Sequence, residues 1–360
     1  MTKNLRTGAS VLRLTLAFLL IVVVGTGRSV SAQQSQNSTR PDQKSDNGKI
    51  EVLHVQGNVY MIAGAGANVT VQVGSHFVIV VDPGLAEMSE QVLAAIRSLT
   101  TKQGILFIID TCADPDHTGG NEALSKAGWL LPNGSQNPIE VKGTGNPLVP
   151  QPGASILAHE NVLTAMSQPI GNEPKVPSGM WPTDAYDTDL WRIYNDEGIF
   201  MYHPPAAHSN GDTFVLFRGS DVLSSGDLVN LLGYPVINVQ RGGSVNGLID
   251  ALNQMIDLME PKEYEEGGTY LIPGHGHIGD RHDVVNYRDM VTIIRDRIRY
   301  LISQGKTLEQ VKAEKPTFDY DVLYGTTTGP WTTDMFIETI YRELSKSKNQ
   351  EAPKAGGGLE

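Results

Sequence analysis

Four short patches of this 360-residue chain place acids, a thiol or imidazoles directly after a strand-like apolar run. The stretch Ile108 to Asn121, IIDTCADPDHTGGN, carries Cys112, Asp114, Asp116 and His117 within six residues. The other patches hold His208 in PPAAHSNGD, Asp227 in LSSGD and His275 in LIPGHGH. Together these are seven groups of the types that bind zinc, which takes thiolate, imidazole and carboxylate in any mixture and, when catalytic, keeps one position open for water. Each also has a plainer reading. Cys112 could be a small buried hydrophobe. Asp114 beside Pro115 could be a turn residue or helix cap, and Asp116 the cap of a helix beginning near Gly119. His208 and His275 could be strand-end histidines satisfied by carbonyls, and Asp227 could close a turn. The shared placement after β-type runs favours ligation over these alternatives.

The elements that must carry these groups follow from periodicity. From Glu51 to Val81 the runs EVLHV, VYMIA, NVTVQVG and HFVIVVD, separated by turn residues, predict a strand meander. Ser89 to Leu99 repeats Val92, Leu93, Ile96 and Leu99 at helical spacing, and Ile105 to Ile109 is a continuous apolar run suited to a buried strand. A second set follows: WRIYN, IFMYH, TFVLF and VLSSG as strands, a helix from about Val245 to Met259, and the strand TYLIP. Two such halves predict two packed sheets with helices outside, and ligands of α/β sheets gather at the carboxyl ends of strands. Leu130 to Pro152, rich in Gly, Pro and Asn, reads as a long loop near the site. Beyond Asp280 the chain turns helical, with Val284, Tyr287, Val291, Ile294, Ile298 and Leu301 on one face. Gly305 then marks a stop, Thr307 and Gln310 a capping box, and a last helix spans about Thr333 to Leu344.

Residues 1–32 stand apart. Lys3, Arg6 and Arg13 precede an apolar run from Leu14 to Val24, and Val30-Ser31-Ala32 ends the segment with small residues, the pattern of a secretory signal peptide cleaved after Ala32. The apolar run is well short of the roughly 20 residues a spanning helix needs, so no stable membrane anchor is expected. Residues 33–49 read as a disordered leader and residues 347–360 as a disordered tail. These features place the mature protein in the periplasm or outside the cell. Removing the segment takes away Lys3, Arg6, Arg13 and Arg28 and moves the formal charge from -12 to -16, which excludes nucleic acid as a partner and leaves a small-molecule substrate. Cys112 is the sole cysteine, so no intramolecular disulfide forms, and in an oxidising compartment a lone thiol survives by burial or by holding a metal.

The order and spacing of the four patches over roughly residues 50–280 resemble the metallo-β-lactamase superfamily, whose first motif reads H-x-H-x-D-H and is followed by a later His, a later Asp and a His in a PGH context. Val81-Asp82-Pro83-Gly84 is similar to the family's Asp-x-Gly turn, which braces the site from behind. GPWTTDMF and YRDMVTIIRD resemble an exported subgroup. The resemblance implies an α/β fold, a four-layer αββα sandwich of two mixed sheets with outer helices, followed by a C-terminal helical extension over residues 281–346. It implies one metal position at Cys112, Asp114 and His208, a second at Asp116, His117 and His275, Asp227 bridging them, and Asp82 in support. Zinc, as one or two ions, is the expected metal, with iron and manganese as alternatives. Cys112 and Asp114 stand where the family has histidines, adding up to two negative charges that would hold a dication more tightly and lower its Lewis acidity. The implied chemistry is attack by metal-bound hydroxide on a small ester, thioester, lactone or amide, β-lactams included, with Asp116 orienting the hydroxide or taking its proton. The alternative is a non-catalytic binding protein of the same fold. No G-x-S-x-G nucleophile motif is present.

Overall fold

A computed structural model describes residues 49–130, 151–171, 173–264 and 267–351, all within one compact unit. The expected signal peptide, nearly all of the expected leader, residues 131–150 of the expected loop and the last nine residues of the tail lie outside the described residues.

The first sheet has seven strands. β1 (Glu51–Gln56), β2 (Val59–Ala65), β3 (Ala67–Val73) and β4 (Val78–Val81) form the expected antiparallel meander. β5 (Ile105–Ile109) joins β4 in parallel, as a helical crossover requires, through α1 (Ser89–Leu99). Two very short helices, α2 (Pro115–Thr118) and α3 (Asn121–Ala127), follow β5. β6 (Trp129–Leu130) and β7 (Gln151–Pro152) pair as a separate ribbon that closes the base of the expected loop. β8 (Ser155–His159), α4 (Glu160–Ser167) and β9 (Asp184–Tyr186) complete the sheet in parallel.

The second sheet runs β10 (Leu190–Tyr194), β11 (Glu197–Tyr202), β12 (Phe214–Phe217), β13 (Val222–Ser224), β14 (Tyr270–Ile272) and β15 (Gly279–Asp280). Its first hairpin turns on Asn195 and Asp196, both at positive φ (50° and 68°), the tight turn whose twist matches paired strands. The one parallel pair, β13 with β14, is joined through α5 (Val245–Leu258).

Strand alternation builds the layers. Ile79 and Val81 of β4 point into a cluster shared with Ile109, Leu157, Val215 and Phe217, which is the core between the sheets. Val78 and Val80 point the other way, against Val92, Leu93 and Ile96 of α1. Phe214 and Leu216 of β12 likewise face outward, onto Leu248 and Leu252 of α5. The result is the expected αββα sandwich.

The C-terminal residues belong to this outer layer. α6 (Arg281–Ser303) starts at an Asp280–Asp283 capping box and buries Val284, Tyr287, Val291, Ile294 and Ile298 in the same cluster as α5. α7 (Leu308–Ala313) begins with the expected Thr307–Gln310 capping box, and α8 (Asp321–Tyr324) follows. α9 (Thr333–Glu351) inserts Phe336, Ile337 and Ile340 into that cluster, with Phe336 stacked on Tyr234 at 4.7 Å. α9 continues to Glu351, past the helix end expected near Leu344 and into the segment expected as a disordered tail. Arg295 and Arg299 of α6 pair with Asp296, and Arg297 with Asp319.

Ile109, fully buried between the sheets one turn before the reactive loop, tests this layering. Ile109→Ala is expected to cost about 2–5 kcal/mol in urea unfolding; a cost below about 1 kcal/mol would place it outside the inter-sheet core.

Candidate metal centre

All seven expected ligand residues come together at one edge of the sandwich. β5 ends in the loop carrying Cys112 and Asp114, with Asp116 and His117 in α2. His208 lies between β11 and β12, and Asp227 and His275 follow the carboxyl ends of β13 and β14. One atom each from Cys112, Asp114, His208 and Asp227 lies within 4.8 Å of the others, and Asp116, His117 and His275 form a second such group. Asp227 Oδ1 is also 3.2 Å from His117 Nε2 and 3.2 Å from His275 Nε2, which puts it between the two groups. Asp114 Oδ2 is 3.3 Å from His208 Nε2, and Asp116 Oδ2 is 3.3 Å from His275 Nε2.

The imidazoles are aimed from behind. His117 Nδ1 donates to Asp82 Oδ2 at 2.8 Å, and Asp82 also accepts from the Thr111 backbone N–H at 2.8 Å and from Thr111 Oγ1 at 2.6 Å. His208 Nδ1 donates to the Val236 carbonyl at 3.0 Å. Both rings are thereby fixed with Nε2 toward the cluster, the arrangement by which outer partners orient metal-binding histidines. Those two Nε2 atoms are buried and make no hydrogen bond, although carboxylate oxygens lie 3.2–3.3 Å away. Buried polar atoms are ordinarily satisfied. Here each points into one of the two ligand groups, and the donors of thiol, imidazole and carboxylate in those groups suit a dication.

The charges agree. Burial pushes the Cys112 thiol well above its ordinary range, and His117 opposes that rise only in part. A neighbouring cation would therefore be needed for the thiolate. Burial also works to raise Asp227, yet His117 and His275 hold it well below the usual carboxylate range. Burial opposes protonation of all three histidines, but their acidic neighbours prevail. His117 sits well above its ordinary value through Cys112, Asp227 and Asp82. His208 is pushed up to about 10 by Asp114, and His275 to about 9 by Asp116 and Asp227.

Asp82, which the resemblance implied as a support, hydrogen-bonds His117, but its backbone conformation and several other positions that matter were not legible beforehand. Asp82 adopts φ 56°, a left-handed conformation costing about 1–3 kcal/mol, and its three hydrogen bonds offset that strain. Thr111 supplies two of them. Asn68 of β3 reaches across to the other sheet, where Nδ2 donates to the Pro273 and Gly276 carbonyls, both at 2.9 Å, and its N–H donates to the Gly274 carbonyl at 2.8 Å. It clamps the loop that presents His275. Gly226, at φ 50°, lets Asp227 approach, since a Cβ there would stand 2.2 Å from Thr111 Oγ1. Among the other histidines, His159 caps α4 by accepting from the Asn161 N–H and stacks on His203 at 3.5 Å, away from the cluster. His76 pairs with Asp196.

The sandwich carries two groups of candidate metal ligands at its strand ends, on an α/β fold. The model of the Metallo-beta-lactamase superfamily matches residues 56–275, and the chain belongs to that superfamily. No curated protein matches it. Among solved structures it is similar to the stereoselective inverting sec-alkylsulfatase Pisa1 from Pseudomonas sp., with 15% identity, a TM-score of 0.53, and coverage of 81% of this chain and 50% of that one. It is also similar to a metallo-beta-lactamase from Pontibacter korlensis, with 16% identity, a TM-score of 0.48, and coverage of 68% of this chain and 99% of that one.

Two outcomes are expected. Asn68→Ala should weaken binding of zinc at the His275 group about 10- to 100-fold by calorimetry, and unchanged affinity would show the loop is held without it. Because His208 and His275 hold protons up to about 10 and 9, zinc must displace them. Loading near pH 8 should release more than one proton per ion to an indicator dye, and affinity should rise as pH increases from about 6 to 9. A pH-independent affinity would contradict this charge arrangement.

Proposed function

We propose that the protein is an exported metal-dependent hydrolase acting on a small ester, thioester, lactone or amide, with β-lactams in that range. The observation that carries the reading is the pair of buried, unbonded Nε2 atoms of His117 and His208, aimed among three carboxylates and a thiol. Zinc suits these ligand types, with iron and manganese as alternatives. A dication held there would act as a Lewis acid and lower the pKa of a water from about 15.7 toward 7.

The chain's own groups divide the remaining work. Cys112, His117 and His208 are buried and form the floor, while Asp114, Asp116 and His275 are partly exposed at the mouth. Burial works to raise Asp116, but the hydrogen bond from His275 holds its carboxyl below the ordinary value. It is therefore ionised at neutral pH, and its Oδ2 can orient a water and accept its proton. His117 is fixed between Asp82 and Asp227, so it cannot swing toward substrate. Export is supported by the charged, apolar and small-residue sequence of segments 1–32.

The second reading, a non-catalytic binding protein, is motivated by Cys112 and Asp114 in place of histidines. Against it, the Asp114 carboxylate reaches His208 Nε2 at 3.3 Å and the Cys112 sulfur belongs to the same group, so neither replacement removes a donor. Resemblance to a sec-alkylsulfatase structure adds sec-alkyl sulfates to the substrates worth assaying.

Protein purified without chelator should carry zinc, iron or manganese at near-stoichiometric levels, and only trace metal would refute the reading. On a panel of esters, thioesters, lactones, β-lactams and sec-alkyl sulfates, His117→Ala should lower kcat/KM at least about 100-fold for any substrate turned over. The double variant Cys112→His with Asp114→His separates the alternatives. Hydrolysis that appears only after restoring both imidazoles would establish the binding-protein reading.

A further inference from the structure

We infer that the cavity between α4 and the metal motif receives a neutral, apolar group of the substrate, so that uncharged acyl compounds are taken in preference to carboxylate-bearing ones. The assignment rests on the hydrolytic reading above and narrows it. The cavity encloses about 190 Å³. Val162, Ala165 and Met166 of α4, with Val176, form its apolar part, and Asp114 lines the same cavity. Asp114 is the link to the chemistry, because the same side chain stands 3.3 Å from His208 Nε2. A molecule seated against α4 therefore has its near end at the ligand cluster.

Charge decides what fits. Arg241 is the one cation among the lining residues, and its guanidinium is already engaged. Nε donates to Glu173 Oε1 at 3.3 Å and Nη2 donates to Glu173 Oε2, while Nη2 also reaches the carbonyls of Ala165 at 3.3 Å and Gln168 at 3.2 Å. Glu173 also lines the cavity, so an entering carboxylate meets an acid and a cation whose partner it would have to displace. Of the neutral polar groups, Asn161 Nδ2 donates to the Asn210 carbonyl at 2.7 Å, Ser209 Oγ donates to Asp212 at 2.6 Å, and Asn238 Oδ1 accepts from the Arg241 N–H at 3.1 Å, while the Asn210 amide adds an uncharged polar group to the lining. The cavity thus offers apolar contact, which favours each buried methylene, and neutral amides, with no unpaired cation among its lining residues for a carboxylate. The substrate class is an uncharged ester, thioester, lactone or amide with a short alkyl or ring substituent, and carboxylate-bearing β-lactams fall outside it.

Two measurements on the zinc-loaded protein test this. In the first, methionine methyls are labelled with ¹³C, the Met166 signal is assigned by its loss in Met166→Leu, and hexanamide or hexanoate is added. Hexanamide should shift the Met166 signal saturably, hexanoate should not, and Ala165→Trp, which fills the cavity, should abolish the shift. No shift with hexanamide, or an equal one with hexanoate, overturns the assignment in the unsubstituted protein, whether or not the variant folds. In the second, p-nitrophenyl butyrate is compared with p-nitrophenyl hemisuccinate, which replaces the terminal methyl by a carboxylate. The butyrate should be favoured at least about tenfold in kcat/KM, and Ala165→Trp should erase about tenfold of its advantage through KM. Equal or faster turnover of the hemisuccinate overturns the preference. If neither ester nor any other panel substrate is hydrolysed while hexanamide still moves Met166, the hydrolytic reading falls and the cavity assignment stands.

Discussion

The site depends on one constraint, that a fully buried imidazole, His117, is held between two carboxylates that approach its two nitrogens from opposite sides. Asp82 takes Nδ1 at 2.8 Å, and Asp227 stands 3.2 Å from Nε2 without a hydrogen bond. The first contact determines where the ring points, and the second leaves Nε2 aimed into the ligand cluster without a hydrogen-bond partner. Each carboxylate comes from a different sheet, Asp82 from the end of β4 and Asp227 from the end of β13. The two sheets must therefore pack in one register for the ring to be held at all, and the inter-sheet core from Ile79 and Val81 to Val215 and Phe217 provides that register. Other contacts across the seam work in the same direction. Asn68 ties β3 to the His275 loop, and Thr70 of β3 donates to Ser224 of β13 at 2.9 Å.

Elements whose periodicity is long and unambiguous were legible in the sequence. The meander from β1 to β4, the helix α1 and the apolar run of β5 fall where alternation and helical spacing place them. The capping box at Thr307 was readable at the residue level, whereas at Asp280 only the helix beyond it was expected and the Asp280–Asp283 box emerges from the structure. β8 and β9 were not, because SILAH is brief and DAY is three residues that become a strand only by pairing with β8. α2 is four residues long and carries no periodic signal. The helical stretch beyond Asp280 was visible as helices, but its amphipathic pattern does not say what the apolar face covers. The structure answers that it roofs the second sheet together with α5.

The same division holds at the site. The seven ligand-type residues could be found because each follows a strand-like run and their order matches a family motif. Their supports, Asp82 apart, could not. Thr111 and Asn68 act through partners 29 and more than 200 positions away, and nothing in a stretch such as NVTVQV distinguishes an asparagine that clamps a distant loop from one that ends a turn. The backbone of Asp82 was equally hidden, since Asp-Pro-Gly reads as an ordinary turn and its left-handed φ is sustained only by Thr111 and His117.

Seen from these supports, the two ligand groups differ in how far they are prepared. The group of Asp116, His117 and His275 is oriented in advance, by Asp82 on one side and by the Asn68 clamp on the other. The group of Cys112, Asp114 and His208 has one such brace, the Val236 carbonyl behind His208. Its thiol is buried and held protonated by that burial, while Asp114 is half-open to the cavity under α4. A thiolate there would be an uncompensated buried charge unless a cation arrived, so this half of the site forms with its ion rather than ahead of it. The residues that depart from the family motif would thus make metal uptake at one position conditional on charge neutralisation. They also bring a carboxylate, where an imidazole is usual, to the wall that any molecule in the adjoining cavity must face.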